Sequence, residues 1–125
     1  MLYNNTSTSG AGAVYMGQPG SIFYYCRFEN NQSFNRNNGD SQSTGAIGID
    51  GGGTESENKY TLIDGCEFIN NQGRREGGAI NARHNTVIQN TLFYKNRVQS
   101  NNNEGNGGAI AAWPLVSGDG GNNYD

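Results

Sequence analysis

Apolar side chains along this chain come in short sets, and the sets return in the same order. Val14 and Met16, then Ile22 and Phe23, then Phe28 are followed by Ile47 and Ile49, then Leu62 and Ile63, then Phe68. Ile80 and Ala82, then Val87 and Ile88, then Phe93 come next. Alternation at a period of two is the mark of a strand, where neighbouring side chains take opposite faces. No window carries the 3.6-residue stripe of an amphipathic helix, so a helical repeat is excluded.

Two phrases mark the period. Gly77-Gly78-Ala79-Ile80 recurs as Gly107-Gly108-Ala109-Ile110, with one change as Thr44-Gly45-Ala46-Ile47, and loosely as Ala11-Gly12-Ala13-Val14. The alanines step by 46−13=33, 79−46=33 and 109−79=30 residues. Between them sits an aromatic followed three residues later by Asn, at Phe28 and Asn31, Phe68 and Asn71, and Phe93 and Asn96. Self-similarity at this period is the signature of a solenoid, in which each unit buries its apolar face only against a neighbour.

The spacing predicts strands at Gly12–Met16, Ser21–Phe23 with a bend at Tyr24 and Tyr25, and Cys26–Phe28. It predicts Thr61–Ile63 with a bend at Asp64 and Gly65, and Thr91–Phe93 after a bend at Gln89 and Asn90. The fold expected is all-β, a right-handed single-stranded parallel β-helix of about three and a half turns over residues 10–112. Residues 1–9 read as an extended arm or the tail of a previous turn, and 113–125 as an irregular C-terminal tail. Stacking one unit per turn builds internal ladders of Phe28, Phe68 and Phe93; of Phe23, Ile63 and Ile88; and of Val14, Ile47, Ile80 and Ile110. Asn31, Asn71 and Asn96 form an amide ladder that satisfies a buried turn. Loop lengths differ between units because insertions in a solenoid go to the turns.

Composition changes the picture less than the repeat does. Only 33% of the 125 residues are hydrophobic and 20 are glycine, which in a random chain would argue disorder. Apolar residues in register still make a narrow continuous core. A net charge of −3 gives no support for nucleic acid or an anionic membrane as partner. No apolar run is long enough to insert in a membrane, and Met1–Asn5 has neither the basic start nor the apolar centre of a secretory signal, so a mature chain or a fragment is expected.

Glycine-Gly-Ala-Ile paired with Phe-x-x-Asn, at Gly77–Ile80 with Phe93–Asn96 and at Thr44–Ile47 with Phe68–Asn71, resembles the repeat of the chlamydial polymorphic outer membrane proteins and related surface proteins. The resemblance covers about residues 10–112. It implies a right-handed parallel β-helix serving as a cell-surface passenger or adhesin.

Candidate chemistry is sparse. Cys26 and Cys66, each two before a Phe, are expected as vertical neighbours. Register stacking holds them slightly too far apart for a disulfide, which favours two buried free thiols. Arg27 falls one turn below Glu67, a cross-strand ion pair with Glu29 nearby. Arg74 and Arg75 read as a solvated turn. His84 has no convergent partner for a metal site or a triad. Asp50, Glu55 and Glu57 lie in a glycine-rich loop that matches no defined calcium pattern. No catalytic, cofactor or metal-binding residue is therefore assigned. Asn4 and Asn5 fit the glycosylation acceptor pattern on an accessible arm, and Asn31 fits it inside the ladder.

These readings favour a non-catalytic extracellular β-solenoid, either an adhesin segment or a filament subunit. Its open ends would stack head to tail on another copy or on flanking turns of a longer chain. The alternatives are a fragment of a polysaccharide lyase or hydrolase β-helix and a glycan-binding module that uses Tyr94 and Trp113. Carbohydrate is the external partner these alternatives imply.

Overall fold

The computed structural model describes residues 1–17, 20–34, 43–49, 59–83, 85–99 and 107–112. Asp50, Glu55, Glu57, His84, Trp113 and the tail 113–125 lie outside the described residues.

Fifteen short strands follow one another along the described chain. β1 (Leu2–Tyr3) and β2 (Thr6–Ser7) come first. A complete turn follows, with β3 (Val14–Met16), β4 (Ile22–Tyr24), β5 (Arg27–Glu29) and β6 (Gln32–Ser33). The next comprises β7 (Ile47–Ile49), β8 (Thr61–Asp64), β9 (Glu67–Ile69) and β10 (Gln72–Gly73). The third comprises β11 (Ile80–Ala82), β12 (Thr86–Gln89), β13 (Leu92–Tyr94) and β14 (Arg97–Val98). β15 (Ile110–Ala112) opens another.

Like strands stack on like in four parallel sheets, ordered β3-β7-β11-β15, β4-β8-β12, β1-β5-β9-β13 and β2-β6-β10-β14. The chain is an all-β parallel solenoid, and among the described residues it contains no helix. Each turn has four strands, one more than the sequence spacing predicts. The additional strand at Gln32, Gln72 and Arg97 is only two residues long and lacks any apolar alternation.

Two columns of corners between strands centre on single residues in the left-handed region. Tyr25, Gly65 and Asn90 make one column of corners, with φ of 50°, 64° and 49°. Asn4, Asn30, Asn70 and Lys95 make another, with φ of 56°, 55°, 52° and 55°. Glycine and asparagine accept this conformation more readily than other residues. Tyr24, Asp64 and Gln89 belong to strands, so the expected two-residue bends narrow to one.

The Gly-Ala-Ile phrase has a steric cause. A Cβ on Gly45 or Gly78 would collide with the carbonyl oxygen of Gly78 or Gly108 in the following turn. Gly77 and Gly107, just before Gly78 and Gly108, have φ of 66° and 65°. The alanine carbonyls then serve two donors each: Ala79 O accepts from Ala46 N at 3.0 Å and Ile47 N at 2.9 Å, and Ala109 O accepts from Ala79 N and Ile80 N. This tight corner sets the register of the isoleucines, with Val14 opposite Ile47 and Ile80 opposite both Ile47 and Ile110.

The core runs up the middle of the stack. Phe28 and Phe68 are stacked at 4.8 Å and 3°, Phe68 and Phe93 at 5.1 Å and 7°, and Phe23 meets Phe28 edge-on at 5.9 Å. Phe28, Ile47, Ile63, Phe68 and Ile80 are fully buried, whereas Val14, Ile88, Phe93 and Ile110 on the outer turns are half-buried.

Residues 1–9 are not a free arm. Leu2 pairs with Phe28 and Thr6 with Gln32, so β1 and β2 complete the lower half of a preceding turn. Leu2 stands in the Phe column and Asn5 in the Asn column, which is why this polar stretch has a place in the stack.

Candidate functional site

Chemistry in this molecule is arranged in vertical columns, and the most complete is the amide ladder. Asn31 Oδ1 accepts from Asn5 N at 3.1 Å and Asn5 Nδ2 at 2.9 Å. Asn71 Oδ1 accepts from Asn31 N at 3.0 Å and Nδ2 at 2.9 Å, and Asn96 Oδ1 accepts from Asn71 in the same way. The second proton of each Nδ2 goes to a strand carbonyl of the turn before, from Asn31 to Leu2, Asn71 to Phe28 and Asn96 to Phe68. Asn31 and Asn71 are fully buried with both side-chain atoms satisfied. The residue before each ladder Asn is the left-handed corner, so the Asn-Asn doublets at 4–5, 30–31 and 70–71 supply first the corner and then the ladder, and Lys95 takes the corner before Asn96.

A second ladder uses sulfur and hydroxyl. Cys26 N donates to Cys66 Sγ at 3.4 Å, and Cys66 N donates to Thr91 Oγ1 at 3.4 Å. Both cysteines are free. Cys66 is buried, and burial pushes its thiol pKa up. Cys26 is only half-buried, so the expected pair of buried thiols is in fact one buried and one partly open.

Charges occupy the outer faces. Arg27 lies opposite Glu67 and bonds it at 2.9 Å, and it also reaches Glu29 on its own strand at 2.9 Å. Glu29 and Glu67 raise the Arg27 pKa, Glu29 most. Exposed pairs of this kind contribute little to stability. Glu76 is 5% exposed and is held by Asn81 Nδ2 at 2.7 Å and Arg83 Nη2 at 3.0 Å, while Asn81 Oδ1 and Arg83 Nε are buried without partners. The sequence reading missed this cluster, because Asn81 has Gly48 and Ala111 as register partners and so shows no repeat signal. Arg74 donates its backbone N–H to Ser43 O at 3.0 Å.

One corner gathers several groups. Tyr24, Asp64 and Gln89 are successive register partners, and Tyr25, Gly65 and Asn90 are the corner residues beside them. Gln89 Nε2 donates to Asp64 Oδ2 at 2.8 Å and Asn90 Nδ2 to Asp64 Oδ1 at 2.9 Å. These two amides, Gln89 first, hold the Asp64 carboxyl below its ordinary pKa. Tyr94 lies apart from this corner and is half exposed, with Lys95 Nζ 5.0 Å from its ring centre. Among the described residues no three His, Cys, Asp or Glu side chains converge as metal ligands, and no helix is long and apolar enough to cross a membrane.

Glu67–Ile69, the Asn70-Asn71 doublet and Gly77–Ile80 thus form one continuous corner, strand and corner unit. Residues 65–83 match the Chlamydia polymorphic membrane protein (Chlamydia_PMP) repeat. The match starts at the Gly65 corner, takes in Phe68 and Asn71, and ends just after β11, so the matched segment has Phe-x-x-Asn first and Gly-Gly-Ala-Ile second. No curated protein and no solved structure matches the chain.

Proposed function

We propose that this chain is a segment of a cell-surface protein, a non-catalytic β-solenoid that presents its outer walls to partners as an adhesin does. What supports this reading is the match of residues 65–83 to a repeat named for a membrane protein, falling on three successive strands, β9 to β11, of an in-register stack. The stack devotes its buried amides and thiols to joining one turn to the next, a structural use. Its end turns are paired by further turns, either of a longer chain or of a second copy stacked head to tail.

Antibody to the purified chain should label intact source cells; labelling only after permeabilisation would overturn the surface reading. Release of new reducing or unsaturated ends from acidic polysaccharides would overturn the non-catalytic one. Negative-stain images of the isolated 125 residues separate the two kinds of pairing: fibres assign it to a second copy, and a monodisperse monomer assigns it to flanking turns.

A further inference from the structure

We infer that the corner formed by Tyr24, Tyr25, Asp64, Gln89 and Asn90 is a binding subsite for a neutral glycan. This deepens the surface reading above and rests on it, since a glycan-bearing partner must reach the outer wall.

Tyr25 is the anomaly that points to the site. Its φ is 50°, in a column where the other turns have Gly65 and Asn90. A bulky side chain in the left-handed region is strained, and strain of this kind concentrates where function requires it. Nothing in the core rewards it, because Tyr25 is 87% exposed. The ring lies over Gly65, where a Cβ would come within 2.7 Å of two ring carbons, so glycine in the next turn gives the ring its seat. Tyr24 stands beside it, half exposed, with ring centres 6.3 Å apart and planes inclined by 30°. Two aromatic faces open to solvent are a surface for the C–H side of a sugar ring, amphipathic in the same sense as the tyrosine itself.

Hydrogen-bonding groups continue from those rings up the stack. The Asp64 carboxylate is fixed by Gln89 and Asn90, one amide to each oxygen. With the Gly65 N–H as a third donor, the carboxylate keeps one acceptor site, and each amide keeps one N–H and its carbonyl oxygen, a mix of acceptors and donors suited to vicinal hydroxyls. The carboxylate stays ionised because its pKa is lowered, and a fixed negative charge disfavours acidic sugars. Turns repeat at about 4.8 Å, close to the length of one pyranose unit, so a linear chain running along the stack meets aromatic rings at one turn and the carboxylate and amides at the next two. Ile22, Leu62 and Val87 form an apolar column on the same wall, with Ile22 and Val87 exposed.

The test is titration of the purified chain with chitohexaose, cellohexaose and mannohexaose, and with a galacturonate hexamer as the acidic member, read by saturation-transfer NMR and calorimetry. At least one neutral hexamer should bind saturably, with affinity lost tenfold or more in Tyr25→Asn and threefold or more in Asp64→Asn. Asparagine suits the left-handed corner, so Tyr25→Asn should melt no lower than wild type, and loss of binding cannot be put down to unfolding. Tyr94→Ser, on a different wall, should bind as wild type does. Absence of saturable binding by every neutral hexamer, binding of the acidic hexamer alone, or unchanged binding in Tyr25→Asn each overturns the proposal. Cell-surface labelling is independent of these titrations, so failure of the subsite is distinguishable from failure of the surface reading.

Discussion

Replacing Asn71 by Ala tests whether the amide ladder holds the turns together. The substitution leaves the buried Asn31 N–H without its acceptor, and an orphaned buried donor costs about 1–3 kcal/mol. It also removes one of two bonds from Asn31 Nδ2, one of two from Asn96 Oδ1, and the side-chain donor to Phe28 O. At about 0.5–1.5 kcal/mol for each of those three, the whole loss is about 2.5–7.5 kcal/mol, set against a typical domain stability of about 5–15 kcal/mol. The variant should therefore unfold at a much lower urea concentration, read by far-UV circular dichroism. Asn5→Ala, at an exposed position whose side chain donates to Asn31, should cost about 1 kcal/mol. Asn71→Asp sharpens the test: the carboxylate accepts from Asn31 but places a buried charge against Phe28 O and Asn96 Oδ1. Burial raises its folded-state pKa above the unfolded value of about 3.9. Stability is then fullest below that value and is lost as pH rises through the folded pKa, the reverse of an ordinary acid-labile protein. Equal midpoints for Asn71→Ala and Asn5→Ala, or an Asn71→Asp variant no more stable at pH 3.5 than at pH 7, would refute the ladder as the source of cohesion.

Four further outcomes are expected. Gly45→Ala should prevent stacking, because its Cβ meets backbone, whereas Gly108→Ala, with open space at the same column, should change the melting temperature by only a degree or two. Phe68→Asp should abolish the folded circular dichroism signal, since it sets a charge between rings stacked at 4.8 Å and 5.1 Å. In native protein a thiol reagent should modify Cys26 first and Cys66 only with unfolding; above pH 9 stability should fall as the unfolded Cys66 ionises ahead of the folded one. Expressed in a eukaryotic host, the chain should carry a glycan on exposed Asn4, while folded material mapped by mass spectrometry is bare at Asn31, whose amide protons both face protein acceptors.

Legibility followed the physics of each residue. Phe68, Ile80 and Asn71 announce themselves because their columns need the same side chain in every turn: a ring fills the core, a branched chain packs beside it, and only a primary amide can accept and donate along the axis. Leu2 hid the first turn by substituting for Phe, although Leu2-Tyr3-Asn4-Asn5 has the same spacing as Phe28 to Asn31. The fourth strand hid because its inward positions hold Ser33, Gly73 and Val98, too varied to read as apolar alternation. The Tyr25 corner could not be found from hydrophobicity, since its signal is a backbone angle. A hint was present in the column Tyr25, Gly65, Asn90, where one residue that resists left-handed backbone is followed by two that tolerate it. Glu76, Asn81 and Arg83 meet through chain folding within one turn, and no periodicity marks them.

Asn31 and Asn71 each point the oxygen toward the turn before and the nitrogen toward the turn after as well as to a strand carbonyl, so the column has a sense of direction. That gives the gene a simple grammar. A duplication or deletion whose breakpoints lie one whole turn apart, at any phase, joins each asparagine to an equivalent asparagine and each Phe to a Phe, and the spliced protein inherits no broken bond. A breakpoint at a fractional turn sets an amide against a phenylalanine and is discarded by folding. Lineages carrying this architecture are therefore free to change the height of the stack quickly, but only in whole turns, while loops vary in length on their own.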